Sequence, residues 1–145
     1  LTASQLMGGQ WKNDTSKAGY AWYRSFTPDS VIHRVANIDT KIFHVNDVEI
    51  LSAYDPKNFE PLMLPVLFES DKAIAYSFKG GVELNVEGHG PMIAEMIADN
   101  EVTYENSTLK TSKVLKQGNH VYIEPNTSYR LKSKGKTEVV LFEIK

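Results

Sequence analysis

The stretch GNHVYIEPNTSYR (118–130) sets a glycine before a short apolar run, then a proline and a small polar turn. The flanking segments HVYIEP (120–125) and SYRLKS (128–133) carry β-branched and aromatic residues in the manner of strands. Gly118-Asn119 and Pro125-Asn126 are residue types that make turns. The stretch therefore reads as turn, strand, turn, strand. Working outward, VELNV (82–86) and EVTYE (101–105) alternate apolar and polar residues, and TEVVLFEIK (137–145) adds a further strand. MIAEMIA (92–98) suits a short helix, but the alternation that follows it predicts a hairpin over 92–105 turning at Asp99-Asn100. KIFHVNDVEIL (41–51) also reads as strand, broken by Asn46-Asp47. Short strands separated by Gly, Pro and Asn predict an all-β sandwich or barrel.

Residues 1–65 differ in texture. GGQWKNDTSKAGYAWYRSF (8–26) is rich in aromatic and turn residues, and three prolines confine AYDPKNFEPLMLPVLF (53–68) to loop, extended or edge structure. Their aromatic and aliphatic side chains need burial, so this half is expected to pack on the barrel as additional strands and loops. The expectation is one domain over 1–145, with a core over about 66–145.

Composition removes several functions. The 145 residues are 41% hydrophobic and 23% charged, which is ordinary for a globular domain. A formal net charge of −2 gives no broad electrostatic attraction for nucleic acid. The densest basic group, Arg130, Lys132, Lys134 and Lys136, reads as a solvated strand edge and turn, and direct DNA binding is not expected of it. The absence of cysteine excludes a disulfide scaffold, a thiolate zinc site and a cysteine nucleophile. No apolar run approaches the roughly 18 residues that span a bilayer, and no charged-then-apolar leader pattern stands at the start. The sequence begins at Leu1 rather than Met and reads as a piece of a longer chain.

Residues 118–130 resemble the second motif of a cupin, and HGPMIAE (89–95) has the spacing of the first. A cupin metal centre uses three imidazoles and a carboxylate, because a divalent ion needs several nitrogen donors and charge compensation. In this sequence His89 and Glu95 fit that spacing, but Pro91 stands for the second histidine and Tyr129 for the third. Proline cannot coordinate, and a phenol with an unperturbed pKa near 10 is a poor ligand. The expectation is no metal, no cofactor and no catalytic residues, with Tyr129 packed in the barrel mouth and bonded through its hydroxyl. His89 reads as a turn residue, Glu95 as solvent-facing, and His33 and His44 as structural. His120 opens a strand where ligands are not expected. No phosphate loop, HExxH, GxSxG or GxGxxG occurs.

Four pieces together resemble the C-terminal cupin domain of centromere protein C (CENP-C). They are YSFKGGVELNVEG (76–88), MIADNEVTYE (96–105), LKQGNHVYIEPNTSYRLKS (115–133) and VVLFEIK (139–145). That family also lacks the metal ligands. Asn100 and Glu124-Pro125 depart from its pattern, and residues 1–65 match nothing in it. The resemblance implies a cupin-type jelly-roll barrel, no enzymatic activity, and homodimerisation that bridges two copies of a kinetochore scaffold in the nucleus. It also implies recruitment of protein factors that load or maintain the centromeric histone CENP-A.

Two surfaces are candidates for these contacts. The last strand is apolar on both sides, and Val139, Leu141 and Phe142 are expected at a dimer interface. Phe59, Leu62 and Met63 are expected to bind a partner, as an aromatic and methionine cluster on a proline-rich loop. A second reading starts from a loose similarity of residues 90–125 to the C-terminal cupin of phosphomannose isomerases. It makes the chain a small-molecule cupin, a sugar isomerase or epimerase or a non-catalytic lobe, with His89, Glu95, His120 and Tyr129 lining a pocket.

Overall fold

A computed structural model describes residues 1–25, 32–52, 54–55, 59–80, 83–98 and 100–145. Every regular element among them is a strand, and no helix is long and apolar enough to cross a membrane. The chain divides into two compact units. Residues 1–20 and 24–48 make the first, and residues 21–23 and 49–145 make the second. The segment 49–65 thus counts with the barrel.

In the first unit β1 (Thr2–Leu6) pairs antiparallel with both β2 (Lys12–Asp14) and β3 (His33–Asn37). The strand expected over 41–51 is not formed: these residues adopt no regular element, and Ile42 is 96% exposed. Its β-branched residues suit a strand, but a strand forms only where another edge accepts its hydrogen bonds.

The second unit holds β4 (Val66–Glu69), β5 (Ala73–Lys79), β6 (Leu84–Val86), β7 (Met92–Met96), β8 (Val102–Asn106), β9 (Thr111–Leu115), β10 (His120–Ile123), β11 (Tyr129–Ser133) and β12 (Glu138–Ile144). Pairing is nested. β8 pairs with β9, β7 with β10, β6 with β11 and β5 with β12, all antiparallel. This long folded-over hairpin is wrapped into two sheets, β10-β7-β12-β5-β4 and β6-β11-β8-β9. It is a jelly roll of the cupin type.

The hairpin expected over 92–105 is a correction. β7 and β8 lie in different sheets, and Asp99 falls outside the described residues. Both strands alternate buried and half-buried residues, since each presents one face to the shared core from an opposite side. Alternation reveals that face but not the lateral neighbour.

The core is filled from both sheets. Tyr76, Phe78, Met92, Met96, Leu141 and Ile123 meet Val102, Tyr104, Leu115, Tyr129 and Leu131. Local turn chemistry holds the quoted stretch as read. Gly118 has φ 75° and Asn126 φ 60°, positions that suit glycine and asparagine. Thr127 N donates to Glu124 O at 3.3 Å across the Pro125-Asn126 turn. Asn126 N donates to His89 O at 2.8 Å, so the turn after β10 is tied to the loop before β7.

Candidate functional site

Tyr129 points into the barrel from β11 and is buried. Its ring lies 5.7 Å from that of Tyr104, and its hydroxyl donates to Met92 Sδ at 3.0 Å. Burial, with the charge of Glu143, pushes its phenol well above the usual range. Tyr129 is therefore part of the packed core and not at an open mouth.

The donors grouped by motif spacing do not converge. Glu95 lies on the outer face of β7, because its neighbours Ala94 and Met96 take the core face. It sits across from His120 of β10, with His120 Nδ1 3.9 Å from its carboxylate. His89 contacts Glu143 instead. Among the described residues no group of three or more His, Asp or Glu side chains is arranged to hold a metal ion. The residues present do not fit a centre of three imidazoles and a carboxylate.

A different polar site occupies the barrel end. Glu143 is fully buried on the same face of β12 as Val139 and Leu141. Its Oε1 lies 3.0 Å from His89 Nδ1 and accepts from Gly90 N at 3.0 Å, while Oε2 accepts from Tyr76 OH at 3.1 Å. Tyr76 OH in turn accepts from Leu62 N at 3.3 Å. As a carboxylate, Glu143 accepts every one of these bonds, which places the proton of the His89 contact on Nδ1. Burial and the Glu143 charge hold the Tyr76 phenol above its ordinary range. A buried acid with this many donors is satisfied, and it fixes the loop entering β7. Strand parity was the available signal, since 143 follows 139 and 141 at intervals of two.

Parity also corrects the dimer assignment. Val139 and Leu141 are fully buried and belong to the core, so they present nothing to a partner within this fold. The other side of β12 faces outward. There Phe142 pairs across to Ala75 and Ile93, Phe68 pairs to Ala75, and Tyr122 pairs to Ile93. The rings of Phe68 and Phe142 are 5.8 Å apart. Phe68, Phe142, Ile93 and Tyr122 thus form an apolar row across the five-stranded sheet, with Tyr122 52% exposed.

The outer face of the four-stranded sheet is the opposite in character. Arg130 Nε donates to Glu105 at 2.9 Å, its Nη2 also contacts Glu105, and its Nη1 reaches Glu83 at 3.2 Å. Lys132 Nζ donates to Glu105 at 3.2 Å. These hydrogen bonds hold the Glu105 carboxyl below its ordinary range. Two members of the basic group are therefore neutralised locally rather than offered to phosphate.

The partner cluster is divided. Phe59 and Leu62 are half-buried against the core, with Lys145 Nζ 5.2 Å from the Phe59 ring centre. Met63 alone of the three is fully exposed.

No protein-family model matches this chain, and no curated protein matches it in sequence. Solved structures similar to it include a cupin-2 domain protein of Shewanella frigidimarina, 12% identical with TM-score 0.48, covering 60% of this chain and 85% of that one. A cupin superfamily protein of Desulfitobacterium hafniense is 14% identical with TM-score 0.48, covering 57% and 75%. A cupin domain of Bordetella pertussis is 14% identical with TM-score 0.47, covering 57% and 92%. The nested strand pairing is what makes this chain a cupin-type jelly-roll barrel with additional N-terminal strands and loops.

Proposed function

We propose that the domain is a non-enzymatic homodimerisation and recruitment module, and, from its sequence resemblance, that it serves a nuclear centromere scaffold of the centromere protein C kind. There it would hold a factor that loads or maintains CENP-A. The observation that carries dimerisation is the apolar row Phe68–Phe142–Ile93–Tyr122 on one sheet, set against the ion-paired face of the other. A two-fold contact needs a self-complementary surface. The row supplies apolar area, and the neighbouring Glu95 and His120 supply opposite polarities that can cross-pair between copies. Joining two scaffold arms makes the second chromatin contact intramolecular, which raises avidity without new contacts.

Sedimentation velocity at micromolar concentration tests this reading. The expected species is a dimer that Tyr122→Asp converts to a folded monomer, while Leu141→Asp unfolds the chain. A wild-type chain that stays monomeric at about 100 times that concentration refutes dimerisation. Centromere localisation of the tagged chain, lost in Tyr122→Asp, tests the cellular part.

The second reading is a small-molecule cupin. The Glu143–His89–Tyr76 cluster favours it, as a buried acid, imidazole and phenol within one barrel. Stoichiometric iron, manganese, nickel or zinc in the purified protein would support it over the scaffold reading.

A further inference from the structure

We propose that the first unit docks on an anionic bilayer surface through the tip of its β1–β2 hairpin. In the turn joining these strands Gly9 N donates to Leu6 O at 2.8 Å, and Gln5 Nε2 donates to Gly9 O at 2.8 Å. Gly8 has φ 76°, a value that favours glycine. Met7 N donates to Ile32 O at 3.0 Å, which brings the entry to β3 against the same turn. The tip is therefore an ordered end of the three-stranded sheet.

Two observations select the occupant. The first is apolar exposure: Leu6, Met7 and Ile32 are each more than half exposed and Trp11 is 49% exposed. Large apolar side chains gathered at one end of a sheet mark an interaction site. A projecting turn offers a peptide no groove, whereas a bilayer interface accepts projecting side chains and tryptophan favours that depth. The second observation is the placement of charge. Lys12 pairs with Ser4, and Arg34 with Gln5. Consecutive residues of β1 face opposite sides, so these two cations flank the base of the tip on both faces of the sheet. The acids that the strand pairing locates lie at the other end: Asp14 pairs with Thr2, and Asp39 accepts from the Leu1 amino group at 3.0 Å. The unit is thus polarised along its strands, and its apolar end is also the positive end that an anionic surface attracts. Leu6 stands two residues beyond the level of Lys12, about 7 Å at strand rise. That reach matches the roughly 5–10 Å to which apolar groups enter the headgroup and acyl boundary. The cations then meet headgroups while Leu6 and Met7 reach hydrocarbon. This contact is peripheral and does not rest on the dimer reading, whose apolar row belongs to the second unit.

The test is co-sedimentation of the whole chain with vesicles of phosphatidylcholine alone or containing about one third phosphatidylserine. Tryptophan emission is read on the same samples. The expected result is binding to the anionic vesicles that falls with added salt, with much weaker binding to the neutral ones. A blue shift should accompany it that Trp11→Phe removes and Trp22→Phe retains. Met7→Asp should abolish binding, and Lys12→Gln and Arg34→Gln should each weaken it about fivefold. Ile42→Asp alters an exposed apolar residue beyond the opposite end of β3, where Asn37 Nδ2 donates to Lys41 O at 2.8 Å, and should leave binding unchanged. All these side chains are exposed, and circular dichroism checks that each variant keeps its strands; the two cation variants cover the case in which Met7→Asp does not fold. Absence of vesicle binding, equal binding to neutral vesicles, binding retained in folded Met7→Asp or in the cation variants, or loss in Ile42→Asp overturns the proposal. A change of oligomeric state in lipid-free Met7→Asp also overturns it, because the tip would then be a contact between copies.

Discussion

Glu143→Ala is the most informative perturbation of the barrel. The side chain accepts from Gly90 N at 3.0 Å and Tyr76 OH at 3.1 Å, and contacts His89 Nδ1 at 3.0 Å. Removing it leaves a backbone N–H and a phenol facing a gap in the core. Each buried donor left unsatisfied costs about 1–3 kcal/mol. His89 is partly exposed and can turn to water, so it recovers most of its share. Two stranded donors and the lost packing give about 3–5 kcal/mol. Glu143→Gln keeps the shape and one acceptor for Gly90 N, and should cost only about 1–2 kcal/mol through loss of the charge-assisted bonds. Urea unfolding of the three proteins, followed by far-ultraviolet circular dichroism of the strands, gives these differences from the midpoints at constant slope. A loss below about 1 kcal/mol for Glu143→Ala would refute the claim that this acid is a satisfied anchor, because an acid buried without benefit is neutral or better to remove.

Two further outcomes follow from the same interior. Burial raises the phenols of Tyr76, Tyr104 and Tyr129. A raised folded-state value means that their contribution to stability is intact below about pH 10, the unfolded value, and is lost as pH rises above it. In an alkaline absorbance titration these three should ionise in one cooperative step with unfolding, and gradual ionisation of all seven tyrosines would contradict the packing. Gly90→Ala should destabilise by about 1–3 kcal/mol through overpacking, since a Cβ there would lie 2.5 Å from Ile144 O; an unchanged thermal midpoint would show that the loop yields at no cost.

How legible the molecule was in its sequence differed by element. Residues 118–130 were readable because their signals are local: glycine and asparagine at positive φ, and proline in a turn. β9 (TSKVL) gave no such signal, because only Leu115 of its five residues is buried. The lateral partners of β7 and β8 were not readable either, since nested pairing is set by contacts far apart in sequence. β12 shows a subtler limit. Val139, Val140, Leu141 and Phe142 are all apolar, so alternation could not say which side faces in. Pairing with Tyr76 and Phe78 of β5 decides it. Once that face is known, Glu143 follows as an interior acid and the apolar row as an exterior surface. The ligand-motif spacing pointed to Glu95, on the outside, because the spacing of a motif survives after its side chains have been reassigned.

The place of β12 has a consequence for how the chain reaches this state. It follows the other barrel strands in sequence, yet it lies between β7 and β5 in the middle of its sheet. Until residues 138–144 are made, β10-β7 and β5-β4 are two separate ribbons, each with an unsatisfied edge. Closure joins Ala73 to Ile144, a pairing across nearly half of the chain. Such high contact order makes folding slow, and the open edges are the kind that pair with other chains. A chain in which β12 has not yet been made therefore exposes these edges, and truncation within β12 should yield aggregate rather than a smaller barrel.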